Sequence, residues 1–232
     1  MAEKIMRKIE RVLGIPSNAV QAYLKLKKFH SRPRSIDESV YTALNFGGHG
    51  YFKVRTMQIP AEIIALARAV EELNPKIILE IGTAFGGTLF IWAQLASEHV
   101  ISCDIESKRI PGLIYKSFPP PDSRCKVTLM TGNSHTYEFK QRVKRRLSGA
   151  SVDFLFIDGD HTEQGVEDDY YAYKEFVRPG GIIAFHDIVE KQLLPQNQVY
   201  HFWKRLKTLE QTEEFIYDSD QTGYGIGIVR VR

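Results

Sequence analysis

Asp158, Asp160 and His161 close an apolar run that begins at Asp153, and His186-Asp187 close a second run that begins at Gly180-Gly181. Carboxylates and imidazoles are the side chains that bind divalent cations and move protons. Both runs are short and rich in aromatic or branched residues, as buried strands are, and one helical segment separates them. In an open parallel sheet the carboxyl ends of neighbouring strands line one crevice, so both tips are expected to face it together. Asp158, His186 and Asp187 would then offer two carboxylates and an imidazole to one divalent ion. Strand-end aspartates also cap helices, and a histidine beside an apolar strand also serves as a packing residue. Two histidines and three aspartates converging at adjacent strand ends favour the ion, because buried-edge charges are costly without compensation. Asp160 reads as a supporting or capping residue.

A second constellation lies upstream. Ile77-Ile78-Leu79-Glu80-Ile81-Gly82-Thr83-Ala84-Phe85-Gly86-Gly87-Thr88 is an apolar run that ends in an acid and turns through glycines into a helix. Gly82 and Gly86-Gly87 allow a tight turn and close approach of a ligand, and the helix start presents free N–H groups. The next apolar run, His99 to Asp104, also ends in an acid, at the offset where a carboxylate accepts both hydroxyls of a ribose. A nicotinamide dinucleotide site uses similar parts, but its pyrophosphate clamp wants Gly-x-Gly-x-x-Gly. Ala84 interrupts that pattern, and Glu80 would repel a pyrophosphate while suiting a cofactor with cationic sulfonium and ammonium groups.

The residues Glu80-Ile-Gly82-Thr83-Ala-Phe-Gly86-Gly87-Thr88, with Asp104, resemble motifs I and II of the class I S-adenosylmethionine-dependent methyltransferases. Asp158-Gly-Asp160-His161, followed by Pro179-Gly-Gly-Ile-Ile-Ala-Phe-His186-Asp187, resembles the metal-dependent O-methyltransferases of methyltransferase family 24, whose relatives include cephalosporin hydroxylase-like and macrolide-sugar O-methyltransferases. The resemblance covers roughly residues 56 to 230. It implies that Glu80, Gly82, Thr83, Gly86, Gly87, Thr88 and Asp104 bind S-adenosylmethionine, and that Asp158, His186 and Asp187 hold a divalent metal, magnesium first. His161 is the implied general base. Some relatives carry an acid where this chain has His186. Asn133-Ser134 fall where the family often contacts the adenine, and they equally suit a helix N-cap. The implied acceptor is a hydroxyl on a small molecule or sugar. Two other readings stay open: a cofactor-fold binding module docking RNA or anionic lipid, and an iron-dependent hydroxylase-like enzyme built on two carboxylates and a histidine.

These residues need a sheet to position them. Strand signals fall near 77–82, 99–104, 126–131, 152–158 and 181–187, with helices near 87–96, 135–147, 163–177 and 197–209. Alternation of this kind predicts a mostly parallel α/β sheet of Rossmann type, and the resemblance implies seven strands with one reversed. A terminal hairpin near 214–217 and 225–229 would supply the antiparallel strand. Tyr170 and Lys174 share a spacing with short-chain dehydrogenases, but Val166, Tyr170, Tyr173 and Val177 recur as a packing stripe, and Trp92 and Trp203 read as core.

The chain divides into a helical extension and lid, residues 1–55, and a cofactor-binding domain, residues 56–232. With 232 residues and 43% hydrophobic content it can bury a full core. Ile5, Ile9, Val12 and Leu13 recur at helical spacing among Lys4, Arg7, Lys8 and Arg11, and a second short helix follows Pro16. Such a basic amphipathic helix suits packing on its own domain or on a second subunit in a homo-oligomer; it also suits an anionic membrane surface. Residues 31–58 show no sustained period and read as a loop that covers the pocket. A net charge of +3 gives no reason to expect a nucleic-acid partner, and no apolar run reaches the roughly 20 residues that span a bilayer. Cys103 and Cys125, with no metal-binding spacing, fit a reducing, cytoplasmic setting.

Overall fold

The computed structural model describes residues 14–232; the basic helix expected over Lys4 to Leu13 lies outside them. Helices α1 (Ile15–Phe29), α2 (Ile36–Asn45) and α3 (Pro60–Glu72) precede the sheet. Then β1 (Ile77–Ile81), α4 (Gly87–Leu95), β2 (His99–Asp104), α5 (Gly112–Tyr115), β3 (Lys126–Thr131), α6 (Tyr137–Leu147), β4 (Val152–Ile157) and α7 (Glu163–Tyr173) alternate. The chain ends with β5 (Val177–His186), α8 (Val199–Leu206), β6 (Thr212–Phe215) and β7 (Ile226–Arg230). The seven strands lie in the order β3-β2-β1-β4-β5-β7-β6. Strands β1 to β5 pair in parallel, and β7 runs antiparallel to both β5 and β6. This is the Rossmann-like α/β sheet of class I methyltransferases that the sequence predicts. Its strand order reverses direction at β1 and β4, which is where such sheets open a crevice at their carboxyl edge.

Side-chain alternation divides the core between two faces. Along β4, Phe154 and Phe156 join the cluster that receives α1 to α4, while Leu155 and Ile157 join the one covered by α6, α7 and α8. Trp92 packs edge-on against both phenylalanines at 4.9 and 5.3 Å. On the other face Phe185 meets Tyr170, Phe202 and Trp203. Fully burying side chains of this size contributes roughly 1.5–3 kcal/mol each, so the strand ends between these faces are held on a stiff frame.

Beside helices that end earlier than read, at Tyr173, which leaves Val177 to β5, and at Leu206, three differences from the sequence reading bear on the fold. Residues 31–58 contain the ten-residue helix α2, whose Ser35 and Glu38 form a complete capping box; the flanking Pro33 and Gly47-Gly48 hid a signal that Ser35-x-x-Glu38 carried. Strand β5 starts at Val177 rather than near 181, because a register irregularity opposite Val152 and Phe154 lets Pro179-Gly180-Gly181 stay within the strand. The terminal hairpin is longer and offset, and a buried acid explains where its loop goes: Glu62 of α3 accepts hydrogen bonds from Tyr217 N, Gln221 Nε2 and Gly225 N. Ala22, Leu26 and Phe29 of α1 and Val40 and Ala43 of α2 share one core cluster with Phe90, Trp92 and Phe154.

Candidate active site at the carboxyl edge of the sheet

The turn after β1 builds the first of two adjoining cavities. This one, of about 500 Å³, is lined by Gly82 and Ala84 after β1, Asp104 at the end of β2 and Ile105 after it, Gly132 to His135 after β3, and Asp158 to His161 after β4. Gly82 adopts φ +103°, and a Cβ there would collide with the carbonyl oxygen of Asp158, so the turn and the β4 tip touch through backbone alone. Asp104 accepts from Ala84 N at 2.8 Å and Glu106 N at 2.7 Å and pairs with Lys108 at 3.2 Å. Gly86 and Gly87 line neither cavity: Gly86 packs on the Tyr115 ring, and a side chain on Gly87 would strike the backbone of Arg55 and Thr56. Thr83 is buried, its hydroxyl 2.6 Å from Ser102 Oγ. Asn133 and Ser134 line the cavity and do not cap α6, whose N-cap is Thr136.

Glu80 lies beneath the turn, wholly buried, and lines neither cavity. Trp92 Nε1 donates to it at 3.0 Å, and Ser102 Oγ also bonds it. Burial pushes its carboxyl up to about 7, with the Asp158 charge adding to the rise against the hydrogen bonds. Near neutrality it therefore holds a proton much of the time.

The carboxylate and imidazole cluster stands at the ends of β4 and β5. Asp158, His161 and Asp187 bring one ligand atom each within 4.8 Å of the others. His161 Nδ1 lies 2.9 Å from Asp187 Oδ2, and His161 Nε2 lies 3.5 Å from Asp158 Oδ1. Buried His186 places Nδ1 3.2 Å from Asp158 Oδ1 and 3.4 Å from Asp187 Oδ1, yet neither ring nitrogen has a well-directed hydrogen bond. Burial would lower the His186 pKa, but the two carboxylates overcome it and hold the ring up to about 10. The two histidines in turn keep Asp187 far below the usual carboxylate range despite its burial. Protons here supply the positive charge that a divalent ion would bring, and ion binding would release them. The oxygen and imidazole donors fit magnesium, manganese, iron or zinc. Asp187 holds this place at φ +66°, and Ala84 and Tyr224, at +42° and +64°, line the same opening. Left-handed backbone at non-glycine residues is costly and gathers at functional sites.

A second cavity, of about 420 Å³, meets the first at Gly82, Ala84, Asp158 and His161. Its floor holds His186 and Asp187, and its mouth carries the exposed Met57, Phe85, Leu193 and Leu194. The sequence reading missed two polar residues here. Asn197 Nδ2 donates to Asp187 Oδ2 at 2.6 Å and lies 3.3 Å from His161 Nδ1, and Gln58 Nε2 donates to Asp158 Oδ2 at 3.2 Å. Gln58 sits in the aperiodic segment before α3, and Asn197, at the start of the helix read near 197–209, lies two residues before α8; neither position carries a signal for the cluster. Of the region expected to cover the pocket, Arg55 to Gln58 line this cavity. Asp160 accepts from Thr162 N, and Trp92 and Trp203 are fully buried.

Comparison with known proteins follows the same lines. An O-methyltransferase from Bacillus cereus solved with SAH superposes with a TM-score of 0.59 at 18% identity, over 93% of this chain and 99% of that one. TomG from Streptomyces achromogenes, an O-methyltransferase of tomaymycin synthesis solved with SAM, gives 0.59 at 12% over 93% and 97%. The MycE methyltransferase of mycinamycin biosynthesis, solved with Mg and SAH, gives 0.59 at 18% over 87% of this chain and 54% of that one in its complex with mycinamycin VI. At these identities the likeness is one of fold. In sequence the chain is 44% identical over 152 residues to uncharacterized protein R132 of Acanthamoeba polyphaga mimivirus, a match covering 61% of this chain and 65% of that protein. The chain thus spans less than two thirds of that relative's length. Residues 47–220 match the Rhamnosyl O-methyltransferase/CmcI family across the first cavity, all of the second but Gly223 and Tyr224, and every strand up to β6, and the chain belongs to that family.

Proposed function

We propose that this protein is a divalent-metal-dependent methyltransferase acting on a hydroxyl oxygen of a small molecule or sugar, with S-adenosylmethionine as donor. The observation that carries the reading is the meeting of the two cavities at Asp158 and His161, where a nucleoside-sized hollow opens onto a carboxylate and imidazole cluster. In this reading Asp104 holds the ribose and the turn at Gly82 to Ala84 holds the amino-acid end of the cofactor. Asp158, Asp187 and His186 hold the metal, magnesium first, and its setting is the cytoplasm, where both buried thiols stay reduced. When bound, the cation would make an acceptor hydroxyl more acidic and the cofactor would supply an electrophilic methyl group.

His161 then acts as the base. Asp187 Oδ2 accepts from its Nδ1, which leaves Nε2 to take the hydroxyl proton. Asn197 pins the same oxygen of Asp187 and so fixes the ring. The apolar mouth formed by Met57, Phe85, Leu193 and Leu194 keeps water from the transferring methyl. Against His186 as third ligand stands the tighter triplet through His161; for it stand the two unbonded nitrogens of the buried ring.

Calorimetric titration with S-adenosylhomocysteine, followed by a methyl-transfer assay against sugar and polyketide-glycoside hydroxyls with and without magnesium, tests the proposal. Asp104→Ala should weaken nucleoside binding, while His161→Ala should leave it intact and slow turnover. Salt-sensitive RNA or anionic-vesicle binding with no affinity for S-adenosylhomocysteine would overturn the enzyme reading in favour of a binding module. Turnover that requires 2-oxoglutarate would overturn it in favour of an oxidative enzyme.

A further inference from the structure

The outer edge of the sheet, at β3, holds the molecule's surplus of positive charge. Residues 105–147, which run from just past β2 to the last residue of α6 and so enclose that edge, carry ten Lys and Arg against three Asp and Glu. That surplus of seven stands in a chain of net charge +3, so the remainder is negative by four. Most of these cations are unspent. Elsewhere Arg32, Arg34, Arg68, Arg178, Arg205 and Arg230 each pair with a carboxylate. At this edge Lys108 and Lys140 do so, whereas among the described residues Arg109, Arg124, Arg145, Arg146, Lys116 and Lys126 make no ion pair.

Two hollows share Lys116. One, of about 860 Å³, lies between α1 and the Pro119-Pro120-Pro121 segment, and it also takes in Lys27 and Lys28. The other, of about 600 Å³, is lined by Val127 to Leu129 of β3 with Arg109, Leu113 and Arg146. Apolar side chains stand in water among these cations: Tyr23 and Leu24 of α1, 54% and 57% exposed, line the first hollow, and Leu113 of α5, 66% exposed, lines the second. Cations on an open edge strand guard it against pairing with another chain, and Lys126 on β3 meets that need. Cations on the flanking loop and helices, with exposed leucines beside them, are not required for it.

We propose that this edge docks on a membrane surface of anionic lipid, with Lys27, Lys28, Arg109, Lys116 and Arg146 among the headgroups and Tyr23, Leu24 and Leu113 entering the boundary with the acyl chains. The proposal goes beyond the methyl-transfer reading and does not depend on it. Each cation held close to an anionic leaflet raises partitioning about fivefold. Nucleic acid would attract the same cations, but exposed leucines gain nothing from a phosphate backbone. Unpaired bases stack on aromatic rings, and Tyr23 is the one exposed ring in the two hollows. A second copy of the chain would set like charge against like charge.

Co-sedimentation of the full chain with vesicles tests the proposal, comparing phosphatidylcholine alone with phosphatidylcholine containing about 30 mol% phosphatidylserine at about 0.1 M salt. The wild type should prefer the anionic vesicles by about tenfold or more, and the preference should collapse at about 1 M salt, where screening acts within about 3 Å. Residues 1–13 add four cations of their own, so variants of the face decide the matter. Arg109→Glu combined with Lys116→Glu should lower partitioning by about 10²-fold or more, because each reversal removes a cation and adds an anion. Arg146→Glu alone should lower it about tenfold, and Leu113→Ser, which leaves every charge in place, about threefold. All four residues are exposed, so each variant should melt close to the wild type. Vesicle binding that none of these substitutions moves would overturn the proposal, as would equal binding to neutral and anionic vesicles. Tighter binding to RNA or duplex DNA that the charge reversals weaken and Leu113→Ser leaves alone would overturn it in favour of a nucleic-acid surface.

Discussion

The two cavities that meet at Asp158 are built by opposite means. The first is made from residues that directly follow four consecutive parallel strands, and much of its wall is backbone: Gly82, Ala84, Gly132 and Gly159 present no large side chain. The second draws its wall from Arg55 to Gln58, from Leu193, Leu194 and Asn197, and from Gly223 and Tyr224, segments far apart in sequence, and its floor holds His186 and Asp187. A backbone-built wall changes little when one side chain changes. A wall of interlocked charges depends on every member, because removing one leaves the others buried without compensation. Apart from its glycines, where a Cβ would strike neighbouring atoms, and from Asp104, the first cavity should therefore tolerate substitution better than the second.

Asp158 belongs to both, and its removal should have the largest effect. It lies 3.2 Å from His186 and 3.5 Å from His161, and it accepts from Gln58. In Asp158→Ala, methyl transfer should fall by on the order of 10³ or more, as expected when several kcal/mol of ion and proton positioning are lost. Metal affinity read by calorimetry should fall in the same variant, while S-adenosylhomocysteine binding should change by much less. Equal losses of metal and nucleoside binding would erase the contrast between the cavities.

The two histidines sharpen it further. His161→Ala should slow turnover by about 10² to 10⁴ with metal affinity nearly kept, since Asp158, Asp187 and His186 remain. His186→Ala should instead lower metal affinity first, and added magnesium should recover part of its rate. If His161→Ala abolishes metal binding and His186→Ala does not, the triplet of Asp158, His161 and Asp187 is the ligand set and the base lies elsewhere. Asn197→Ala touches neither a nucleoside nor an ion directly; it frees Asp187 and the His161 ring. A loss of about 10- to 100-fold in turnover or metal affinity is expected, as for other residues that orient ligands, with nucleoside binding unchanged.

The same contrast decides what could be read from the sequence. Asp104 is the last residue of β2, and Gly82, Asn133, Asp158 and His161 stand one to four residues beyond a strand, so once the apolar runs place β1 to β4, the topology gathers their tips. Gln58 and Asn197 follow no such rule: each reaches the cluster because a helix start happens to end there, and no period or motif reports it. Burial depth was equally hidden. Glu80 reads in sequence as a charge at the mouth of a turn, but alternation along β1 turns it beneath the sheet, where Trp92 and Ser102 bind it. Gly86 and Gly87 read as room for a ligand, and the room is taken by Tyr115 and by the backbone of Arg55 and Thr56. A glycine reports that something comes close without saying what.

Glu80 gives the smallest and most separable effect, because it lies under the first cavity and belongs to neither wall. Its folded pKa of about 7 stands above the ordinary glutamate value of 4.5. Below the lower value both folded and unfolded chains are protonated there, and the group costs nothing. As pH rises toward 7 the unfolded chain releases this proton first, so stability falls through that interval and levels off above it, by at most about 3 kcal/mol from the shift. Glu80→Gln keeps an oxygen for Trp92 Nε1 and a donor for Ser102 Oγ but has no proton to lose. In metal-free protein the melting temperature of the variant should match the wild type near pH 4.5 and exceed it progressively up to pH 7.5, by a few degrees. Parallel curves across that range would mean that Glu80 is ionised in the fold at all these pH values, and that a compensating positive charge reaches it from the turn above, which would tie this buried acid to the cofactor cavity after all.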